Sequence, residues 1–145
     1  MIWFLLKCLE VIFIKIKVKG YLKNITENEI IKFEEKAIKN KDKISYVSDG
    51  IKTTLKKDNN DLVLVREGND FVNTFLFSDK NSRCNYLLKE NNLDVDIDIK
   101  TIMIDISDNS ILVKYLVVDS ECEYEYKLEI DNTIDYLNND RKSDV

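Results

Sequence analysis

Cys122-Glu123-Tyr124-Glu125-Tyr126-Lys127-Leu128-Glu129-Ile130 alternates without a break. Successive side chains of an extended chain point to opposite faces, so Tyr124, Tyr126, Leu128 and Ile130 share one side. Glu123, Glu125, Lys127 and Glu129 share the other. A run like this is an antiparallel strand with one buried face and one wet face.

The same period runs outward through the chain. In Leu93 to Lys100, Leu93, Val95, Ile97 and Ile99 alternate with Asp94, Asp96, Asp98 and Lys100. Near the start, Ile12, Ile14, Ile16 and Val18 alternate with Phe13, Lys15, Lys17 and Lys19. Further strands are expected over 43–48, 51–57, 62–66, 71–77, 83–88, 102–106 and 111–118. Residues 29–38 fit a strand through Ile31, Phe33 and Ala37, although their Glu and Lys content also suits a helix. Polar turns separate these segments about every ten residues, the mark of a sandwich or barrel. Ser48-Asp49-Gly50 is the clearest hairpin signal. The first strand is basic on its wet face and the last is acidic. Lys15, Lys17 and Lys19 are therefore expected opposite Glu121, Glu123 and Glu125, closing a barrel through cross-strand charge pairs.

Composition narrows the functions available. The chain has 145 residues, 44% hydrophobic and 34% charged, and suits one globular domain. It carries a formal net charge of -5, against the basic face that nucleic-acid binding needs. No proline and only Gly20, Gly50 and Gly68 are present, so Asn, Asp and Ser must build the turns. Without histidine the commonest general base and metal ligand are missing. Cys8, Cys84 and Cys122 are far apart and read as reduced thiols of a cytoplasmic protein. No cofactor, nucleic acid or membrane is expected as a partner.

Met1 to Leu6 is apolar, but Lys7 and Glu10 break the stretch before it reaches bilayer-spanning length. It has neither the basic region nor the cleavage site of a signal peptide. Leu9-Glu10-Val11-Ile12 is encodable as TTG-GAG-GTG-ATT, which contains a ribosome-binding-like string. The expected organisation is an extra N-terminal segment over 1–11, whose start is open to mis-annotation, a barrel domain over 12–131, and a polar tail over 132–145.

The ordered series of segments carries a resemblance. Lys17-Val18-Lys19-Gly20-Tyr21 is followed by Ile31-Lys32-Phe33-Glu34, Ile44-Ser45-Tyr46 and Ile51-Lys52-Thr53-Thr54-Leu55-Lys56. Then come Val63-Leu64-Val65-Arg66-Glu67-Gly68, Phe75-Leu76-Phe77, Tyr86, and the paired strands about 97–106 and 111–116. The pattern resembles the YwiB-like family of bacterial calycin-like β-barrel proteins of unknown function. That resemblance implies a single all-β, antiparallel, up-and-down lipocalin-like barrel. About eight to ten strands can leave such a barrel filled or hollow. A Thr and Gly that the family carries after the tyrosine matching Tyr86 are replaced here by Leu87, Leu88 and Asn91-Asn92, so that turn is expected to differ.

Four residues are candidates for binding a small ligand in a barrel lumen: Tyr46, Arg66, Tyr86 and Tyr115. Arg66 follows the apolar run Leu62 to Val65, where a guanidinium needs a partner. A salt bridge to Glu67 or a nearby Asp is the expected one, and anion binding the alternative. The tyrosines would bring hydroxyls to an apolar interior or simply fill it. Glu123-x-Glu125-x-Lys127 matches the ExExK pattern of phosphate-tunnel metalloenzymes, in which strand carboxylates hold a metal. Glu123 and Glu125 would be those ligands, but Tyr124 and Tyr126 compete for the interior. Asp94-x-Asp96-x-Asp98 reads as a solvent face. The leading function is non-catalytic binding of a small apolar or mildly polar ligand. The alternative is a protein-interaction module or homodimer with a filled core.

Overall fold

A computed structural model describes residues 14–131. The expectations for 1–11 and 132–145 lie outside the described residues. Eleven strands and no helix make up the described chain: β1 Ile14–Asn24, β2 Glu29–Asn40, β3 Lys43–Ser48, β4 Ile51–Asp58, β5 Asp61–Glu67 and β6 Phe71–Phe77, followed by β7 Arg83–Leu88, β8 Leu93–Ile97, β9 Ile99–Ile106, β10 Ser110–Val117 and β11 Cys122–Asp131. β2 is a strand throughout, because its inward set of Phe33 and Ala37 follows period two.

All pairings are antiparallel, in the order β8-β7-β6-β5-β4-β3-β2-β1-β11-β10-β9. Read around a circle, this is sequence order throughout, so the sheet is an up-and-down meander curled into a nearly closed barrel. The seam lies between β8 and β9. There β9 packs beside β6 and β7, and the Ser82 hydroxyl meets the Thr101 hydroxyl at 2.6 Å.

Turn chemistry follows from the lack of proline and the scarcity of glycine. Asn28, Asp49, Asn59 and Asn92 take positive φ, and Gly50 at φ 78 completes the β3–β4 hairpin after Asp49. Lys41 and Glu121 also take positive φ without the side-chain advantage of Asn or Asp.

Every strand except β8 places a buried side chain in the core, and half-buried Ile97 of β8 packs against it. Ile16, Leu55, Leu62, Phe77, Val113 and Leu128 have essentially no exposure, so much of the interior is filled. One close approach shapes the wall. Gly20 faces inward on β1, and a Cβ there would sit 1.9 Å from the Lys127 carbonyl oxygen. The Phe33 ring covers the bare glycine and stacks on Tyr46 at 5.0 Å and on Tyr126 at 6.2 Å between ring centres.

Three sequence expectations need correction. β1 and β11 are neighbours, but Lys17 faces Asp131, Lys19 faces Glu129 and Lys23 faces Glu125. β1 runs on to Asn24, and Glu121 forms the β10–β11 turn instead of joining the strand, so the register slides. The Lys19–Glu129 pair at 3.7 Å is well exposed and contributes little. Nor does this pairing close the barrel, since it lies inside the sheet.

The run Leu93 to Lys100 is two strands, not one. The chain turns a corner at Asp98, whose carbonyl accepts from the Val118 amide, and passes from one sheet edge to the other. Finally, Leu93 and Val95 are exposed despite their inward phase, because no element covers the outer edge of β8.

Candidate functional site

The inward faces of β3 to β7 line up in one register row. Tyr46 pairs with Thr53, Thr53 with Arg66, Arg66 with Asn73, and Asn73 with Tyr86. Period two makes this row polar while the rows beside it are apolar: Leu55, Leu64 and Phe75 stand next to it on the same face. A belt of hydroxyl, guanidinium and amide groups thus crosses an apolar wall.

An interior cavity of about 250 Å³ opens beside this belt. Leu64, Phe75, Phe77, Phe33 and Leu22 supply its apolar surface, and Tyr46, Thr53, Arg66, Tyr115 and Tyr126 its polar groups. Ser48, Asp49 and Ile51 of the β3–β4 hairpin and Ile31 and Lys32 of β2 also line it. Its volume corresponds to roughly eight waters. A larger groove of about 980 Å³ lies over β2 and β3, but its lining is dominated by charged side chains such as Lys36, Lys43 and Lys52.

The Tyr46 and Tyr126 hydroxyls are 2.7 Å apart and buried, and Tyr46 also shares a hydrogen bond with Thr53. Burial pushes the hydroxyls of Tyr46, Tyr115 and Tyr126 up from the usual phenol range, and the positive charge of Arg66 draws each back down. All three phenols stay neutral donors at physiological pH.

Three of the four proposed ligand residues, Tyr46, Arg66 and Tyr115, line this cavity. Tyr86 sits two places along the row from Arg66 and stacks on Phe71 at 5.7 Å, away from the cavity lining. Tyr126 was not singled out from sequence as a site residue, although its phase with Leu128 and Ile130 already placed it inside. The expected Arg66 salt bridge is absent among the described residues. Glu67 pairs with Lys89 at 3.3 Å, because period two sends Glu67 to the opposite face from Arg66.

Glu123, Glu125 and Lys127 lie on the outward face of β11, with Tyr124 and Tyr126 opposite. Glu125 accepts from the Tyr21 hydroxyl and pairs with Lys114 at 3.5 Å. Hydrogen bonding to Glu125, with desolvation second, raises the Tyr21 hydroxyl to about 12. Asp94 and Asp96 accept from the Asn85 amide on the exposed face of β8. No cluster of three or more acidic or cysteine side chains suited to a metal occurs among the described residues.

Residues 12–133 match the family described as "Domain of unknown function (DUF1934)". The chain belongs to the DUF1934 family. The crystal structure of ywiB protein from Bacillus subtilis aligns with a TM-score of 0.60 at 15% identity, covering 84% of this chain and 92% of that one. At that identity the likeness speaks for the fold. The family assignment and the barrel both agree with the resemblance read from the ordered segments. No curated protein matches the chain. No helix among the described residues of this DUF1934 member is long and apolar enough to cross a membrane.

Proposed function

We propose that the barrel binds a small ligand in its interior without performing chemistry on it. The observation that carries this reading is the cavity of about 250 Å³, in which convergent polar groups stand in an otherwise apolar wall. A few placed polar groups in a mainly apolar, pre-formed hollow is the usual construction of a ligand pocket. The volume is modest, so the ligand is the size of one ring with its substituents. The chemistry on offer is recognition: three tyrosine hydroxyls, a threonine and a guanidinium orient a molecule, and no histidine or paired carboxylate stands among them.

Native mass spectrometry of the protein purified from a bacterial host tests the reading. A discrete added mass that leaves on denaturation is expected. A bare chain mass, with no exchange of cavity-lining resonances on adding small aromatic or aliphatic probes, overturns it.

A protein-interaction module is the second reading, and one observation favours it. The β2–β3 ladder spans only Ala37–Asn40 against Lys43–Tyr46, so residues 29–36 pair with β1 alone. Ile31, 68% exposed, stands on this open stretch, where a partner strand would add to the sheet.

A further inference from the structure

We infer that the ligand of this interior site is a small anion, a carboxylate or phosphate on an apolar body, anchored by Arg66. The inference presupposes the interior site proposed above and names the chemistry of its ligand.

Arg66 is half-buried on the inward face of β5, between Thr53 on β4 and Asn73 on β6. It forms no ion pair and no hydrogen bond among the described residues. Glu67 pairs with Lys89. Asp49 of the exposed β3–β4 turn lines the same cavity, and Glu35 acts on Tyr46 from β2, yet neither pairs with Arg66. A guanidinium stays charged at all relevant pH values, and its rigid fork of donors matches two oxygens of one anion. A cation held in an apolar wall with its donors unspent is incomplete without a counter-ion or water.

The hydroxyls complete the cradle. Tyr126, Tyr46 and Thr53 form a connected run. Three hydroxyls carry three protons and use two in their mutual bonds, so one remains to donate. Thr53 is the direct cross-strand partner of Arg66, which places that end of the run beside the guanidinium. On the other side the Asn73 carbonyl oxygen accepts from the Cys84 thiol at 3.4 Å, leaving its amide hydrogens as donors. The belt is thus rich in donors around one positive charge. The apolar surface of Leu64, Phe75 and Phe33 next to it takes the uncharged body of the molecule.

The test compares benzoate, phenyl phosphate and the neutral benzyl alcohol on the full chain by ¹H–¹⁵N NMR titration, following the Arg66 side chain and the amides of β4 to β6. Benzoate or phenyl phosphate should move these signals and bind about tenfold or more tightly than benzyl alcohol, the worth of a charge-assisted hydrogen bond. Arg66→Met should abolish that advantage, bringing the anions and benzyl alcohol to similar affinity. Should Arg66→Met not fold, Thr53→Val is the second variant, with a several-fold loss for the anions alone. The comparison between anion and alcohol on the unmodified chain needs no variant. Equal binding of benzoate and benzyl alcohol inside the barrel overturns the anion inference and leaves the interior site standing. Shifts confined to surface lysines likewise overturn the anchor. If none of the probes perturbs the interior, both readings fall together.

Discussion

Replacing Gly20 with alanine places a methyl group 1.9 Å from the Lys127 carbonyl oxygen and 2.9 Å from the Phe33 ring. The carbonyl belongs to the β11 backbone and has no rotamer to escape into. Restoring an ordinary contact moves β1 away from β11 by about 1.5 Å, which stretches the local ladder bonds beyond useful length. Gly20 pairs with Leu128 and Tyr21 with Lys127, so two ladder bonds are at stake, each worth about 1 kcal/mol net. Phe33 must also leave its place over the glycine and loosen its stack on Tyr46, a further loss of about 0.5–1.5 kcal/mol. The total is about 3 kcal/mol out of a typical 5–15. Urea unfolding followed by far-UV circular dichroism should show the midpoint falling with an unchanged slope, and the Tm dropping by about 10 °C. Gly50→Ala is the internal comparison. Gly50 has φ 78 and open space around it, so only backbone strain of about 1–2 kcal/mol opposes the methyl. A Gly20→Ala midpoint equal to the parent's, or a smaller loss than Gly50→Ala gives, would refute the close-approach argument.

Tyr126→Phe removes one end of the buried hydroxyl pair and should cost about 1–1.5 kcal/mol in urea unfolding, whereas an unchanged midpoint would mean that the pair contributes nothing. Burial, aided by Asp96, pushes the Cys84 thiol up to about 11. At pH 8 the native protein therefore holds roughly a hundredfold less Cys84 thiolate than an unfolded chain. Iodoacetamide followed by peptide mapping should label half-exposed Cys122 before Cys84 in the native state, and both at similar rates in urea. Tyr21 keeps its proton to about 12 in the folded chain, against 10.0 when free. Folding thus retains a proton that the unfolded chain releases, so this contribution to stability is full below pH 10 and is lost as pH climbs toward 12. Tyr21→Phe should flatten that part of the alkaline stability profile; an unaltered profile would show that the Glu125 contact does not persist in solution.

Much of the barrel was legible because period-two alternation survives wherever one face is buried and the other wet. β11 was readable residue by residue, and so was the turn at Asp49-Gly50. What sequence concealed were events that leave the alternation intact. The corner at Asp98 interrupts the run Leu93 to Lys100 without changing its apolar–acidic rhythm, so the break between β8 and β9 had no local signal. The β1–β11 register was misjudged because charge complementarity is satisfied at several offsets, and strand length decides among them. For the site, Tyr46, Arg66 and Tyr115 were named from sequence, and the cavity gathers all three. Phase also showed Arg66 and Glu67 on opposite faces, a fact that should have weakened the expected salt bridge between them. The unpaired state of Arg66 was beyond reach, since it depends on which acids the curled sheet brings near. So was the role of Phe33 over Gly20, because nothing in either segment marks them as partners.

The sheet order also governs how the protein is made. β1 lies between β2 and β11, so the first of the described strands is joined on its second side by the last of them. A nascent chain that has emerged through β8 already holds a long meander of hairpins, each closed by local contacts, yet β1 still offers an open rim. Only the arrival of β10 and β11 covers it, and this pairing spans over a hundred residues of sequence, as in Lys19 with Glu129. Closing so distant a contact is slow compared with hairpin formation. Until then the growing chain carries an exposed edge on which copies from neighbouring ribosomes can pair. The basic side chains of Lys15, Lys17, Lys19 and Lys23 along that rim repel a second copy of it during the wait.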